Sequence, residues 1–165
     1  GIHVPFFMRW PGQIKGGASV TAPVSHFDIF ATAASAAGRK PATDRTIDGV
    51  DLLPFIKGQS SSRPHDALFW RTDDYVAVRA GDWKLQVSQN PRKDWLFNLG
   101  ADPHEKNNLA DREPQRLAEL KARLDDWNRQ QRKPMWPSLG AAAIPIDKPL
   151  GQPIRAGDEY VYYAN

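Results

Sequence analysis

The spacing of apolar residues changes near residue 64. Before it, Val4-Pro5-Phe6-Phe7-Met8-Arg9-Trp10 is a short apolar run stopped by Pro11-Gly12, the pattern of a buried strand followed by a turn. Pro5 has no N–H for a ladder, which places that strand at a sheet edge or makes Pro5 its first residue. Ser25 stands where an N-cap belongs for a helix over Phe27 to Ala37, and Gly38 stands where helices stop. The helix is rich in alanine, with Phe27, Ile29 and Phe30 at its front, a composition suited to lying close against a sheet. Asp48-Gly49 signals a turn before the apolar stretch Leu52-Leu53-Pro54-Phe55-Ile56, which ends at Gly58.

Gln59-Ser60-Ser61-Ser62-Arg63-Pro64 is small, polar and proline-terminated, and divides the chain into a part over 1–58 and a part over 64–165. Beyond it the pattern is one of strands. Ala67 to Trp70 and Tyr75 to Arg79 flank a polar tip. Ala80-Gly81-Asp82 turns into Trp83 to Val87, which alternates with the period of a half-buried strand, and Trp95 to Leu99 is a fourth. Tight turns between short strands predict an antiparallel meander. A helix over about 112–131 follows, capped by Asp111, with Pro114 in its first turn and Leu117, Leu120, Leu124 and Trp127 forming one apolar stripe. Residues 133–157 read as proline-punctuated loop. Glu159 to Tyr163 reads as a last strand that pairs with the sheet, because three exposed tyrosines on an open edge would invite aggregation.

Composition narrows the possibilities. The 165 residues suffice for a real core, with 41% hydrophobic and 25% charged residues. Fourteen prolines and a mean hydropathy of -0.58 fit long polar connections. The net charge is +3, but along 112–133 acids alternate with bases, which describes a solvated helix face, and no basic-aromatic platform for nucleic acid accompanies it. The absence of cysteine excludes disulfides, thiolate metal sites and a Cys nucleophile. No apolar run approaches the length of a membrane span.

The chemistry on offer concentrates at Trp70-Arg71-Thr72-Asp73-Asp74, preceded by His65-Asp66. A guanidinium and two acids beside an indole can bind a sugar or an acidic aryl group by charge and stacking. The same residues also suit a solvated turn. Asp73-Asp74 mimics a calcium site, but two adjacent carboxylates without further clustered ligands make a turn more readily than a metal centre. Asp28, beside His26 at a helix start, is explained by the helix dipole and free backbone amides. Asp102-Pro103-His104-Glu105 is a turn whose carboxylates hold a loop, and Trp127 and Trp136 are packing residues.

Trp95-Leu96-Phe97-Asn98-Leu99-Gly100-Ala101-Asp102-Pro103-His104-Glu105-Lys106-Asn107-Asn108-Leu109 resembles the "L-Y-D-L-x-x-D-P-x-E-x-x-N-L" segment near the C-terminus of sulfatases. Gly1 to Phe6 with Arg9-Trp10-Pro11-Gly12 is similar to the family's "G-G-x-R-V-P … W-P-G", with His3 where arginine is usual. The helix from Ser25 to Thr32 is similar to "x-x-D-x-x-P-T", with Ala31 in place of proline. Asp48 to Pro54 resembles "D-G-x-S-L-L-P", and Tyr75 to Leu85 resembles "x-x-A-V-R-x-G-x-W-K-L". Singly each is weak; five in order from residue 1 to about 110 are strong.

The resemblance implies an α/β assembly. Residues 1–58 would complete the edge of an alkaline-phosphatase-like catalytic sandwich, and a C-terminal antiparallel sheet packed by one long helix would follow. It implies a parent that hydrolyses sulfate esters with a formylglycine nucleophile and a calcium ion, in the periplasm or outside the cell, on a sulfated small molecule or glycan. The "C/S-x-P-x-R" motif that matures to formylglycine is absent from this chain. The expectation is therefore a C-terminal piece, inactive alone, with no catalytic or metal-binding residue of its own. In the family arrangement the Trp70, Arg71, Asp73, Asp74 loop faces the pocket, and His3 lies where a strand leaves it, so these five are the candidate substrate-binding residues. The alternatives are a phosphoester or phosphonate hydrolase of the same superfamily, or a stand-alone sulfated-glycan-binding module.

Overall fold

Alanines and front-loaded aromatics do form a helix where the pattern asks for one, α1 over Asp28–Ala36. The computed structural model describes residues 2–72, 74–132, 135, 140–146, 148–149 and 151–164. They divide into two units, Gly1–Asp66 and Ala67–Asn165.

In the first unit α1 ends as its sequence requires. Gly38 takes φ 68°, and the amides of Gly38 and Arg39 return to the carbonyls of Ser35 and Ala34, a Schellman closure. Its start differs from expectation. Ser25 does not cap it; instead the Ser25 amide donates to Asp28 Oδ2 at 2.7 Å, so the helix's own first residue gathers the loop before it. The segment over 2–10 forms no strand, and Val4 and Phe7 are 70% and 89% exposed. A strand needs a neighbour to receive its N–H and C=O groups, and the described residues of this unit supply none. The turn at Pro11-Gly12 does form, with Trp10 O accepting from the Gln13 and Ile14 amides. The apolar stretch after Asp51 is the short helix α2, Leu53–Ile56, its first amide bound by Asp51 Oδ1 at 2.9 Å.

The second unit is built on the expected meander. Strands β1 (Leu68–Thr72), β2 (Tyr75–Ala80), β3 (Trp83–Gln89) and β4 (Arg92–Asn98) pair antiparallel in chain order. The register sets Phe69 opposite Val78, Val78 opposite Leu85, and Leu85 opposite Leu96. That apolar face packs on α3 (Pro114–Gln130) through Leu120 and Leu124, while Trp127 stacks on Phe69 with centroids 5.0 Å apart. Burying each leucine contributes about 2–3 kcal/mol. Asp111 is not the cap: Glu113 occupies the N-cap position, without a side-chain hydrogen bond, and Pro114 opens the helix.

The tail departs furthest from the sequence pattern. Residues 133–157 are not all loop, because Ala141–Pro145 forms β5 and pairs antiparallel with β6, Tyr160–Ala164. The last strand thus joins a two-stranded ribbon, not the main sheet. Alanines and a proline carry little strand signal of their own, and β5 exists because β6 satisfies its backbone. The ribbon covers the second face of the sheet, where Val161 packs with Tyr75, Trp95 and Phe97.

Candidate functional site

The polar tip joins β1 and β2. Trp70 lies opposite Ala77 and is half-buried, while Asp74 is exposed. Arg71 points to the α3 side. Its Nη1 donates to Asn128 Oδ1 at 2.7 Å and its Nη2 to the Arg132 carbonyl at 2.7 Å, so the guanidinium is tied to the end of α3. A cation there also complements the negative end of the helix dipole. Three of its five N–H donors take no part in these two bonds. Asp73 and Trp136 lie outside the described residues. His3 is exposed, in the other unit.

Sequence reasoning missed three arrangements. The first is a clamp centred on Asp28, which is fully buried. Its carboxylate accepts from the Ser25 amide, from the Val50 amide at 2.9 Å, and from His65 Nε2 at 2.8 and 2.9 Å. Thr32 continues the grip, with its Oγ1 accepting from the Leu52 amide at 3.0 Å. Gly49 sits so close beneath that a Cβ there would meet Phe27 O at 2.2 Å. The reading of Asp28 as structural agrees with this geometry; the role of His65 was not legible, because it lies 37 residues away in sequence.

The second is a polar network on the ribbon-side face of the sheet. Lys84, 8% exposed, donates to both Glu105 oxygens at 2.7 and 2.8 Å, Gln86 Nε2 donates to Glu105 Oε2 at 2.7 Å, and the Tyr75 hydroxyl donates to Gln86 Oε1. Glu105 holds this position with φ 56°, in the left-handed region that non-glycine residues seldom enter. The Asp102 to Glu105 turn is architectural as expected, and Asp102 Oδ2 accepts from the Asn107 amide at 2.8 Å.

The third is a groove of about 340 Å³ beside the β3–β4 turn, reached by Gln89, Arg92, Asp94, Asp111 and Lys121. Among the described residues no three of His, Cys, Asp or Glu gather as a metal-binding group. The described residues therefore offer no donor set that fits a calcium ion.

Comparison with known proteins agrees with this architecture. The family described as "N-sulphoglucosamine sulphohydrolase, C-terminal" matches residues 1–133. Steryl-sulfatase of Rattus norvegicus is 39% identical over 103 residues, which is 62% of this chain and 18% of that protein. N-acetylgalactosamine-6-sulfatase of Mus musculus is 41% identical over 88 residues, 53% of this chain and 16% of that protein. The chain therefore spans less than a fifth of the length of either relative. Among solved structures, Ps i-CgsB in complex with k-i-k-neocarrahexaose aligns with a TM-score of 0.64 at 26% identity, over 77% of this chain and 29% of that one. Another, solved with its substrate D-Glucosamine-2-N, 6-O-disulfate, shares the fold at a TM-score of 0.61 and 23% identity, over 74% of this chain and 27% of that one. With a meander, a packing helix and a family match over residues 1–133, this chain belongs to the N-sulphoglucosamine sulphohydrolase C-terminal family and is the C-terminal region of a sulfatase.

Proposed function

We propose that this chain serves a sulfate-ester hydrolase as a structural and pocket-forming part, and that the sulfated group it helps to hold belongs to a sugar or another small molecule. The observation that carries the reading is the family match over residues 1–133, together with relatives at about 40% identity that are named sulfatases. The first unit supports it further. Phe6, Phe7, Ile29 and Phe30 each leave much of their apolar surface exposed. In the proposal these residues complete the edge of a catalytic sandwich supplied by the remainder of the parent, which also carries the formylglycine and the calcium ion.

The substrate-facing residues of this reading are His3, Trp70, Arg71, Asp73 and Asp74. Arg71 suits the task because its two bonds to the end of α3 fix the plane of the guanidinium before any ligand arrives, which lowers the ordering cost of binding an anion. Trp70 offers a half-exposed indole on the same strand.

The test is turnover of an aryl sulfate by the 165-residue chain alone and by the same chain joined to the catalytic portion of its parent. The joined protein is expected to hydrolyse the ester and the chain alone to be inert at every calcium concentration. Hydrolysis by a verified pure sample of the chain alone overturns the proposal.

A further inference from the structure

We propose that the groove beside the β3–β4 turn is a binding site for a sulfated saccharide unit, with Arg92 taking the sulfate and Asp111 and Gln89 taking sugar hydroxyls. The choice of a sulfated sugar rests on the sulfatase reading above; the site itself rests on the following geometry.

The groove holds about 340 Å³, within the range of small-molecule sites, about 300–1,000 Å³. Its walls come from the ends of β3 and β4 and from the first half of α3, elements locked together by the main core. Its lining is mostly polar; Val87 and Ala110 are buried at its base, and Leu117 is the partly exposed apolar residue.

The polar groups sort into those already engaged and those still available. Lys121 Nζ is bound to Asp94 Oδ2 at 2.5 Å, so that acid presents no bare charge to an anion. Lys93 turns to Glu159 at 2.6 Å and lies over the Trp95 ring. Asn108 spends its side chain on backbone groups. Arg92, Gln89 and the Asp111 carboxylate are exposed, and none has a side-chain hydrogen bond or ion pair among the described residues. A guanidinium fork matches two oxygens of a sulfate. A carboxylate and a primary amide are the planar groups that meet neighbouring sugar hydroxyls in pairs. One available cation beside one available anion is a poor site for a bare sulfate ion and a good one for a ligand that pairs a sulfate with hydroxyls.

The experiment is an amide-resolved NMR titration of the ¹⁵N-labelled chain with a 6-sulfated hexosamine disaccharide, its unsulfated counterpart and sodium sulfate. Saturable shifts at Gln89, Arg92, Asp111 and Lys121 are expected with the sulfated disaccharide. The unsulfated sugar and the Arg92→Ala variant should each bind about tenfold more weakly, the effect of one charge-assisted contact, and Asp111→Asn should weaken both sugars alike. The proposal is overturned by the absence of saturable shifts, by equal affinity for both sugars, by an unaffected Arg92→Ala, or by sodium sulfate binding as tightly as the disaccharide. Binding here and turnover by the joined protein are separate readouts, so a failure of the groove leaves the sulfatase reading standing.

Discussion

Asn108 takes the place of a neighbouring strand beside Leu96. Its Oδ1 accepts from the Leu96 amide at 2.9 Å, and the Leu109 amide donates to the Leu96 carbonyl at 2.8 Å. Its Nδ2 reaches the Asp94 carbonyl at 3.0 Å, and the same Oδ1 takes the Ala110 amide. The open edge of β4 is thereby closed by one side chain and one backbone amide, which removes a template for unwanted strand pairing.

Asn108→Ala leaves the Leu96 and Ala110 amides without these partners at a fully buried residue and its near neighbour. The expected cost is about 2–3 kcal/mol, read as a lower urea midpoint at an unchanged m-value. Asn108→Asp keeps the acceptor but sets an oxygen against the Asp94 carbonyl, so it should fall between the two. An alanine variant as stable as the parent chain would show that water closes this edge equally well.

The Asp28 clamp makes a local prediction. Gly49→Ala drives a methyl into the Phe27 carbonyl, and the segment over 48–52 must lift away from α1. His65→Ala removes one of three kinds of donor from a buried carboxylate. Both should speed hydrogen exchange at the Val50 and Leu52 amides, with Gly49→Ala costing about 2–3 kcal/mol of local stability. The amides of the main sheet serve as the control. Exchange that rises equally at Val50 and at Leu85 would mean the clamp is not a local device.

These contacts explain what was legible in the sequence. The residues that carry the family resemblance turn out to be the joints of the fold. Asp28 and Gly49 belong to one joint, and Lys84 and Glu105 to another. The meander and α3 were readable because periods of two and of three to four residues report which face is buried. The strand expected over 4–10 and the loop expected over 133–157 were not, because a strand's existence depends on its partner and not on its own composition. The tip over 70–74 was legible as a polar cluster. That Arg71 is tied to Asn128 was not, since the two lie 57 residues apart.

Lys84 and Glu105 are expected to behave as a coupled pair. Removing one charge strands the other in a poorly solvated position, whereas removing both relieves the mismatch. Lys84→Met and Glu105→Gln should each destabilise by about 2–4 kcal/mol, and the double variant by clearly less than their sum. Urea unfolding of all four proteins closes the cycle. Additivity within about 0.5 kcal/mol would mean that the two groups are solvated independently and that Glu105 is held at its positive φ by the turn alone.

Arg71 separates binding from stability. In the joined protein, Arg71→Ala should raise KM or shift selectivity among sulfated substrates. The two lost bonds to Asn128 and Arg132 should cost about 1–2 kcal/mol, leaving the fold intact. Asn128→Ala, which loosens Arg71 without removing its charge, should give a smaller kinetic effect. Unchanged kinetics across several sulfated substrates would take the β1–β2 tip out of the binding site.

Acid should release the ribbon from the sheet. Burial pushes the Glu159 carboxyl up, but hydrogen bonds from Lys93 and from Trp95 Nε1, with the Lys93 charge, outweigh it and hold the group below its ordinary value. A carboxyl depressed in the folded state stabilises the fold once the unfolded chain's carboxyl is ionised, above about pH 4.3. That contribution is lost as the pH falls through the folded value. The stability difference between the parent chain and Glu159→Gln should therefore be largest near neutral pH and shrink below about pH 4, with Trp95 fluorescence reporting the loss of its partner. A difference that stays constant from pH 7 to pH 3 would show that Glu159 anchors β6 by shape and not by charge.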